Sequence, residues 1–343
     1  MVVMMNKNFS YYLTKYLTEY LSGERNLSTN TIQSYRDTFK LMLIYYKNEL
    51  KIEPEKISIK DINKDNITSF LNWLEDERKL SKSSRNVRLA AIHSFIKYIQ
   101  LEIPDYISEF NKILSIKKKK HQDREIPYLT IDEIKLILNE IDDSTKLGLR
   151  DKTLLTLLYD SAARVNEIIG LNIDDVRLDK PETIKIHGKG NKVRIVPIMG
   201  NTVELLKKYI IEFKILENKY TNVNNLFFNR SNQPLTKMGV TYIINKYVSK
   251  INENNKNIIK IKVHPHTFRH SKAVHLLESN VELIYIRDFL GHSSVKTTEI
   301  YAKVCNANKV EALEKAYSEI TDISQKNWSD DNDLISWLQN LCK

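Results

Sequence analysis

Residues 264–270 read HPHTFRH and residues 290–304 read LGHSSVKTTEIYAKV, and these two strings decide what the second half of the chain can be. In the first, Pro265 is typical of the opening position of a helix. His266 and Arg269 are three residues apart, so both side chains project from the first turn of that helix. Because a helix N-terminus adds amide donors and a positive dipole end, the string predicts a site for an anion.

The second string places His292 directly after Gly291, where a helix ends and the chain turns tightly. Tyr301 follows nine residues later, within the next helix. A single tyrosine is most often a core or interface residue, and the chain contains 18 of them. The interest of Tyr301 therefore depends on the residues that accompany it.

Two earlier strings add cationic groups: SAARVNEIIGL at 161–171 and HGKGNKVRIVPI at 187–198. Arg164 and Glu167 share a helix face, so the carboxylate can hold a guanidinium suited to bidentate phosphate binding. Taken alone, such a pair is more often an ordinary surface ion pair. Lys189 stands between two glycines at the tip of a predicted hairpin, where a backbone can approach a ligand closely. The phosphate-loop pattern GxxxxGK[ST] is absent, so nucleotide binding is not indicated.

A metal site is a further interpretation of the histidine-rich string, through His264, His266 and His270. No cysteine or second acidic cluster completes a plausible ligand set, so we expect no metal. We expect Phe268 and His270 to face the core.

The bulk composition narrows the class of protein. The chain has 343 residues, 42% of them hydrophobic, and a net charge of +10. Its first 120 residues hold 21 Lys and Arg against 14 Asp and Glu, which indicates a polyanionic partner, unless the chain is simply lysine-rich. Two cysteines, Cys305 and Cys342, exclude a disulfide framework. With no secretory signal pattern and no run long enough to span a bilayer, we expect a soluble, cytoplasmic protein without a membrane partner.

The first third of the chain shows the 3.6-residue apolar period of helices. The predicted helices are 9–22, 28–47, 65–77, 81–100 and 105–114, which form a compact bundle. In the fourth helix, Val87 is expected to face inward. Polar and basic residues near the starts of the second and fourth helices, together with the lysine run that follows the bundle, are the candidate DNA contacts: Thr31, Ser34, Arg36, Lys82, Ser84, Arg85, Arg88, Lys117, Lys118, Lys119 and Lys120. The lysine run is either a solvated tether or a strap across a phosphate backbone.

Beyond residue 127 the pattern is helical again, with one β-rich interruption. Thr130 and Glu133 form a capping-box signature for the first helix. Segments 183–186 and 192–198 are predicted to pair as a hairpin. Further helices are expected at about 130–141, 147–160, 164–170, 201–216 and 235–251, and from 267, 281 and 294.

The ordered set Arg164, Lys189, His266-x-x-Arg269, His292, Tyr301 resembles the tyrosine recombinase (phage integrase) family, in particular Xer-like and transposon-borne members. The likeness covers about 127–310 and extends to the front half through LSTNTIQSYRDTF and LSKSSRNVRLAAIHSFIKYI. Three features depart from the family pattern: Ser161-Ala162-Ala163 replaces Thr-Gly-Leu, a polar insertion occupies about 252–260, and the tail is longer.

The resemblance implies a mainly α fold, with an N-terminal helical core-binding (SAM-like) bundle and an α+β catalytic domain that carries a small antiparallel sheet. The expected segments are a bundle at 1–116, a basic linker at 117–126, a catalytic domain at 127–321 and a tail at 322–343. The implied partners are double-stranded DNA with inverted-repeat core sites, three further copies of the chain in a synaptic tetramer, and accessory proteins. No cofactor is implied.

The implied reaction is DNA strand exchange through a 3′-phosphotyrosyl intermediate and a Holliday junction. Arg164, Arg269 and His292 would bind the phosphate, and Glu167 would support Arg164. Lys189 would protonate the leaving 5′-oxygen. His266 would be the base or hydrogen-bond partner of Tyr301, whose unperturbed pKa near 10 makes a neutral phenol a poor nucleophile.

Other interpretations remain open at this level. A type IB topoisomerase-like or hairpin-forming enzyme would use the same chemistry without exchanging partners. A DNA-binding regulator that keeps the fold without catalysis is a further possibility, although the complete residue set argues against it.

The tail contains an amphipathic stripe at helical spacing, i, i+3, i+4, i+7. It either folds back on its own domain or, as the resemblance implies, docks into a neighbouring protomer. The stripe consists of Leu334, Trp337, Leu338 and Leu341.

Overall fold

The computed structural model describes residues 8–120, 126–188, 190, 192–215, 225–254, 258–292 and 294–302. The chain divides into two compact units, Met1–Arg124 and Glu125–Lys343. Each unit has its own hydrophobic core. The predicted fold class is confirmed: the described residues are mainly helical and include one small antiparallel sheet.

The first unit is a helical bundle. Its helices are α1 (Phe9–Lys15), which continues as a π-helical stretch (Tyr16–Glu24), α2 (Thr29–Asn48), α3 (Lys64–Asp76), α4 (Lys82–Glu102) and α5 (Ile107–Leu114). The side chains of Asn8, Asn63 and Ser81 cap α1, α3 and α4, and each accepts a backbone N–H that would otherwise lack a partner.

Aromatic packing fills the centre of this bundle. The ring of Phe95 lies edge-on to three neighbours, Phe9, Tyr16 and Phe39, with centroids 5.2–5.6 Å apart. All four rings are at most 2% exposed. Edge-to-face pairs add about 0.5–1.5 kcal/mol each beyond the area that they bury.

The start of α4 has a different orientation from the one expected. Val87, predicted to face inward, is 48% exposed, whereas Arg85, predicted to face DNA, is 3% exposed. The Nε atom of Arg85 lies 3.4 Å from Oε2 of Glu75, a carboxylate on α3. An ionic partner inside the bundle thus outweighs the apolar preference of a single valine, because a buried charge is tolerated only when it is paired.

The second unit contains helices α6 (Ile131–Asn139), α7 (Lys146–Asp160), α8 (Val165–Ile169), α9 (Asn201–Glu212), α10 (Lys237–Asn254), α11 (Pro265–Glu278), α12 (Leu283–Leu290) and α13 (Glu299–Ala302). The strands are β1 (Val176–Arg177), β2 (Thr183–His187) and β3 (Val193–Pro197), ordered β1-β2-β3 and antiparallel throughout. Lys185 pairs with Ile195, so the predicted hairpin is confirmed. The capping box of Thr130 and Glu133 is also present.

A small third cluster of buried side chains connects the segments that carry the candidate catalytic residues. It joins the end of α7, the middle of α11, the helix α12 and the short α13, through Ala162, Ala273, Val274, Ile286, Leu290 and Tyr301. Across the described ranges, no helix combines the length and the apolar character that a membrane crossing requires.

Candidate active site

Arg164 occupies the N-cap position of α8, where its backbone is extended. Its backbone N–H donates to Oε2 of Glu167 at 2.8 Å, and its Nη1 donates to Oε1 at 2.9 Å. The Arg164 side chain is 38% exposed, whereas that of Glu167 is 5% exposed. A buried carboxylate therefore holds a guanidinium that still faces solvent, the arrangement needed to present an arginine to an external anion.

Glu167 has a second cationic partner, Arg194 on β3, whose Nη2 donates to Oε2 at 2.8 Å. Burial alone would raise the pKa of the Glu167 carboxyl. The hydrogen bonds and charges of Arg194 and Arg164 outweigh burial and hold that pKa below its usual range. Glu167 is thus ionised at neutral pH.

Arg269 lies inside the protein, 3% exposed. Its Nη1 donates to the carbonyl of Ala162 at 2.7 Å and its Nη2 to the carbonyl of Leu290 at 2.6 Å. Burial, and next the charge of Arg164, lower the pKa of Arg269 to about 10, which leaves it cationic at neutral pH. The two carbonyls fix the guanidinium between the end of α7 and the end of α12.

Ala162 adopts a left-handed backbone conformation, with φ of +46°. This position, which precedes Ala163 and Arg164, is where the family pattern named above has glycine. A non-glycine residue pays roughly 1–2 kcal/mol for this conformation. The turn directs the Ala162 carbonyl to Arg269, so the substitution keeps the geometry at a cost in strain.

His292 follows Gly291, whose φ of +66° ends α12. Its Nδ1 lies 3.0 Å from Oγ1 of Thr298. Burial, and then the charges of Arg269 and Arg164, lower its pKa to about 4. His292 is therefore a neutral imidazole at neutral pH, able to donate one hydrogen bond without adding charge.

Tyr301 lies on α13 and is 1% exposed. Burial raises the pKa of its phenol, and the charges of Arg269 and Arg164 act in the opposite direction. Its ring is stacked near that of His292, with centroids 6.5 Å apart and planes at 13°.

The hydrogen-bond partner of Tyr301 is His270, not His266 as the sequence led us to expect. Nδ1 of His270 lies 2.9 Å from the tyrosyl oxygen. His270 is half-buried, and burial, followed by the charges of His266 and Arg269, lowers its pKa to about 4. The expectation that His270 faces the core together with Phe268 holds only for Phe268. His266 and His270 are about one helical turn apart and share a face of α11. His270 is the one that lies against Tyr301 on α13, so it makes the contact that was expected of His266.

His266 itself is exposed and lies beside the two arginines. Partial desolvation, and then the positive charges of Arg269 and Arg164, lower its pKa. Its ring centroid is 6.4 Å from that of His270. The structure therefore brings five of the six predicted catalytic residues, His266 among them, into one electrostatically coupled group. Lys189, the sixth, lies outside the described residues, as do the tail residues Leu334, Trp337, Leu338 and Leu341.

The described part of the chain contains no group of three or more His, Cys, Asp or Glu residues that could hold a metal ion.

In the first unit, the N-terminal halves of α2 and α4 lie together. Nη1 of Arg88 donates to the Ser34 carbonyl at 2.9 Å and to Oγ1 of Thr38 at 3.1 Å. Around this contact, the candidate DNA-binding residues Arg36, Lys82 and Ser84 are exposed, and Thr31 and Ser34 are half-buried. Arg85 is the exception, since its buried side chain faces Glu75.

The lysine run is exposed at all four positions, Lys117 to Lys120, but it is anchored at Lys119. The backbone of Lys119 exchanges two hydrogen bonds with the side chain of Asn86, at 2.9 and 3.0 Å. Its ammonium also pairs with Glu75. The run is therefore fixed to α4 at its third residue, Lys119, and the side chains of Lys117, Lys118 and Lys120 are exposed.

Sequence reasoning missed two residues, Arg194 and His270. The sequence contains no clear signal for Arg194, because apolar residues stand on both faces of β3. Val193 and Ile195 are exposed, and Arg194 shares the inward face with the buried Val196. His270 stands four residues after His266, a spacing that already placed both on one helix face.

Comparison with known proteins places both units in context. Residues 127–308 match the model of the phage integrase family, and residues 14–102 match that of the phage integrase N-terminal SAM-like domain. A protein described as an integrase/recombinase, y4rC, of Sinorhizobium fredii is 32% identical over 329 residues, which cover 96% of this chain and 97% of that protein. The tyrosine recombinase XerD of Staphylococcus epidermidis is 36% identical over 292 residues, covering 84% and 93%.

Among solved structures, the XerH site-specific recombinase, in a pre-cleavage complex with its difH substrate, aligns with a TM-score of 0.64 and 26% identity. The alignment covers 85% of this chain and 81% of XerH. These likenesses favour recombination over a topoisomerase-like or hairpin-forming activity.

Proposed function

Because the chain belongs to the phage integrase family, we propose that Tyr301 is the nucleophile of a site-specific recombinase and that the surrounding basic side chains are its phosphate-binding groups. The chain is a tyrosine recombinase, an enzyme that cleaves and rejoins DNA strands through a tyrosine intermediate. One observation carries the assignment of residues: two arginines and two neutral histidines converge on a single buried tyrosine.

Arg164, Arg269 and His292 bind the scissile phosphate. When the tyrosyl oxygen attacks, the phosphorus becomes pentacoordinate and its non-bridging oxygens gain negative charge. Preorganised cations and hydrogen-bond donors stabilise that charge more than they stabilise the ground state. Glu167 contributes by holding Arg164 in place. His266, exposed beside both arginines, supplies a further donor at the mouth of the site.

The proton transfers belong to His270 and Lys189. As the Tyr301 oxygen forms its bond to phosphorus, its O–H becomes strongly acidic, and the proton passes to Nδ1 of His270, a weak base with a pKa of about 4 that is already in contact with it. The bond from phosphorus to the 5′-oxygen breaks, and that oxygen takes a proton from Lys189. A 3′-phosphotyrosyl ester and a free 5′-hydroxyl result, and reversal on another strand reseals the backbone without external energy.

DNA is the partner. The solved relative XerH is bound to its difH substrate, and the first unit of this chain carries exposed basic and hydroxyl groups at the starts of α2 and α4. We propose that these groups and the lysine run contact the phosphate backbone of inverted-repeat core sites. Four protomers would act together through a Holliday junction, with the tail of each docked on a neighbour and accessory proteins as additional partners.

The testing experiment uses a pool of nicked duplexes that carry randomised inverted repeats. A nick just 3′ of the cleavage position releases the short fragment after attack and traps the covalent adduct. Wild-type protein is expected to give adducts that survive denaturation, from which the preferred site is sequenced. The Tyr301→Phe variant preserves the ring packing and lacks the nucleophile, so it should bind the selected site and form none. No adduct with wild type, or an adduct with Tyr301→Phe, contradicts the assignment.

A further inference from the structure

Arg194 is a largely buried cation that the reaction described above does not use. It lies on β3, and its side chain is 13% exposed. Its backbone pairs with Ile186 on β2, in the hairpin that follows α8 in the chain. A long charged side chain directed inward from a sheet needs ionic and hydrogen-bonding partners to offset its desolvation.

The first partner of Arg194 is Glu167, the carboxylate that also binds Arg164. Oε2 of Glu167 accepts from Nη2 of Arg194 and from the backbone N–H of Arg164, both at 2.8 Å, and Oε1 accepts from Nη1 of Arg164 at 2.9 Å. The two arginines therefore share one carboxylate, and both contact its Oε2 atom. Without Arg194, the contacts that the described residues make to the Glu167 carboxylate would come from Arg164 alone, and the carboxylate would lose its connection to β3.

The second partner is the end of α12, just before His292. Nε of Arg194 donates to the Phe289 carbonyl at 3.1 Å. The Arg194 side chain also packs closely against Gly291: a Cβ added to Gly291 would lie 3.0 Å from Nη1 and 3.1 Å from Cδ of Arg194. Because Gly291 has a φ of +66° and directly precedes His292, the guanidinium supports the turn that presents that histidine.

Arg194 and Arg269 donate to consecutive carbonyls at the end of α12. Arg194 donates to the Phe289 carbonyl, and Arg269 donates to the Leu290 carbonyl. Two cations thereby fix the position of the end of α12: Arg269, which belongs to the proposed phosphate-binding group, and Arg194, which does not.

We propose that Arg194 is a positioning residue that sets the spacing between Arg164 and His292, the two phosphate-binding groups held by different parts of the fold. It acts through Glu167 on one side and through the Phe289 carbonyl and Gly291 on the other, and it does not itself touch the reacting phosphate. The inference rests on the proposed function and adds a residue to it. Its consequence is specific: loss of Arg194 impairs stabilisation of the transition-state charge and leaves DNA recognition intact.

The test compares the rate of covalent adduct formation on two matched nicked substrates. One carries the normal scissile phosphate, and the other a methylphosphonate, in which a methyl group replaces a charged non-bridging oxygen. A neutral centre needs less cationic stabilisation, so a misplaced phosphate clamp matters less there. For Arg194→Gln we expect about a 10²-fold slower reaction on the phosphate, the order of effect expected of a misplacement near 1 Å. On the methylphosphonate we expect a deficit of about threefold or less.

Arg194→Lys serves as the conservative variant, because one ammonium keeps the charge and can reach Glu167 or the Phe289 carbonyl but cannot span both as the guanidinium does. It should react at an intermediate rate, and it keeps the test valid should the glutamine variant fail to fold. Arg177→Gln on β1 is the matched control, with the same loss of charge from the same sheet. It should react like wild type on both substrates.

The outcomes separate the two proposals. Failure of wild type to form any adduct on the phosphate overturns the proposed function, and this inference with it. Normal adduct formation by Arg194→Gln overturns the inference alone. An equal deficit on both substrates also overturns it, because a purely structural defect would not respond to the charge on the phosphate. Noncovalent affinity for the same duplex should match wild type within about twofold, since base and backbone contacts elsewhere determine it.

Discussion

Nδ1 of His270 lies 2.9 Å from the hydroxyl oxygen of Tyr301, at the junction of α11 and α13. Both groups are withdrawn from solvent, and the tyrosine is 1% exposed. With the imidazole neutral and its proton on Nε2, the tyrosyl O–H donates to Nδ1. The nucleophile thus has a proton acceptor in contact and two arginines within electrostatic range, before any DNA is present.

The contact predicts the effect of removing His270. We expect His270→Ala to slow adduct formation by about 10²-fold, the lower end of the usual contribution of a general base. Single-turnover cleavage of a nicked duplex measures this. His187→Ala, which removes an exposed histidine on β2, is the control and should cleave at the wild-type rate. Cleavage by His270→Ala at the wild-type rate would show that the proton goes elsewhere.

The protonation states of two histidines can be observed directly. His270 and His292 have pKa values of about 4, because burial disfavours the charged ring, and the charges of His266 and Arg269 for His270, and of Arg269 and Arg164 for His292, act in the same direction. In the free protein, their ring resonances should therefore stay constant from about pH 8 down to about pH 5.5, whereas an unperturbed histidine titrates near 6.5. Selective labelling of histidine and nuclear magnetic resonance would measure this. A midpoint near 6.5 for either ring contradicts the expectation.

Stability should fall on acidification in two overlapping ranges. The pKa values of His270 and His292 are about 4 in the folded protein and 6.5 in the unfolded chain. Between these two values the unfolded chain binds protons that the folded protein does not, so stability decreases as the pH falls from 6.5 towards 4. Glu167 has a folded-state pKa below 4.5, so its contribution is present above pH 4.5 and is lost as pH falls through the folded value. Urea unfolding between pH 4 and 8 tests the sign. A maximum of stability in the acidic half of that range would be inconsistent with it.

Removing the Glu167 charge should destabilise the second unit. Glu167→Gln leaves Arg194 and Arg164 without a counter-charge, and we expect the free energy of unfolding to drop by about 2–3 kcal/mol, less than for a fully buried pair. The expected loss is smaller than for a fully buried pair because the Arg164 side chain is 38% exposed to solvent. Glu204→Gln removes one partner of an exposed pair with Lys207 and should change stability by about 0–1 kcal/mol. Equal effects of the two variants would show that the Glu167 pairs are no stronger than surface pairs.

The tail gives a prediction about assembly. Deletion of 330–343 should preserve DNA binding and weaken synapsis and strand exchange, because the amphipathic stripe is proposed to dock on a neighbouring protomer. Electrophoresis of paired-site complexes and a recombination assay measure both properties. Trp337→Ala within the stripe should reproduce part of the defect, and Trp328→Ala outside it should not. Unchanged assembly and exchange by the truncated protein would rule out docking in trans.

Periodicity and motif spacing predicted much of the site in advance. The 3.6-residue period gave the helices of both units, and the β-rich segments around the glycines gave the hairpin, because both patterns depend on local geometry alone. The placement of Arg85 and Val87 was wrong, since the phase of a helix start depends on a partner, Glu75, that comes from another helix. Local pattern contains no information about such a partner.

By itself, the sequence determined the fold class and the family, and it named the candidate phosphate-binding groups and the tyrosine, because these follow from residue identity and order. Only the tertiary structure decided that His270 and not His266 contacts Tyr301, and that Arg194 links Glu167 to the turn before His292. The physical reason is the range of the interactions. A hydrogen bond or ion pair forms over about 3 Å, and which groups come that close is set by how helices and strands distant in the chain pack together.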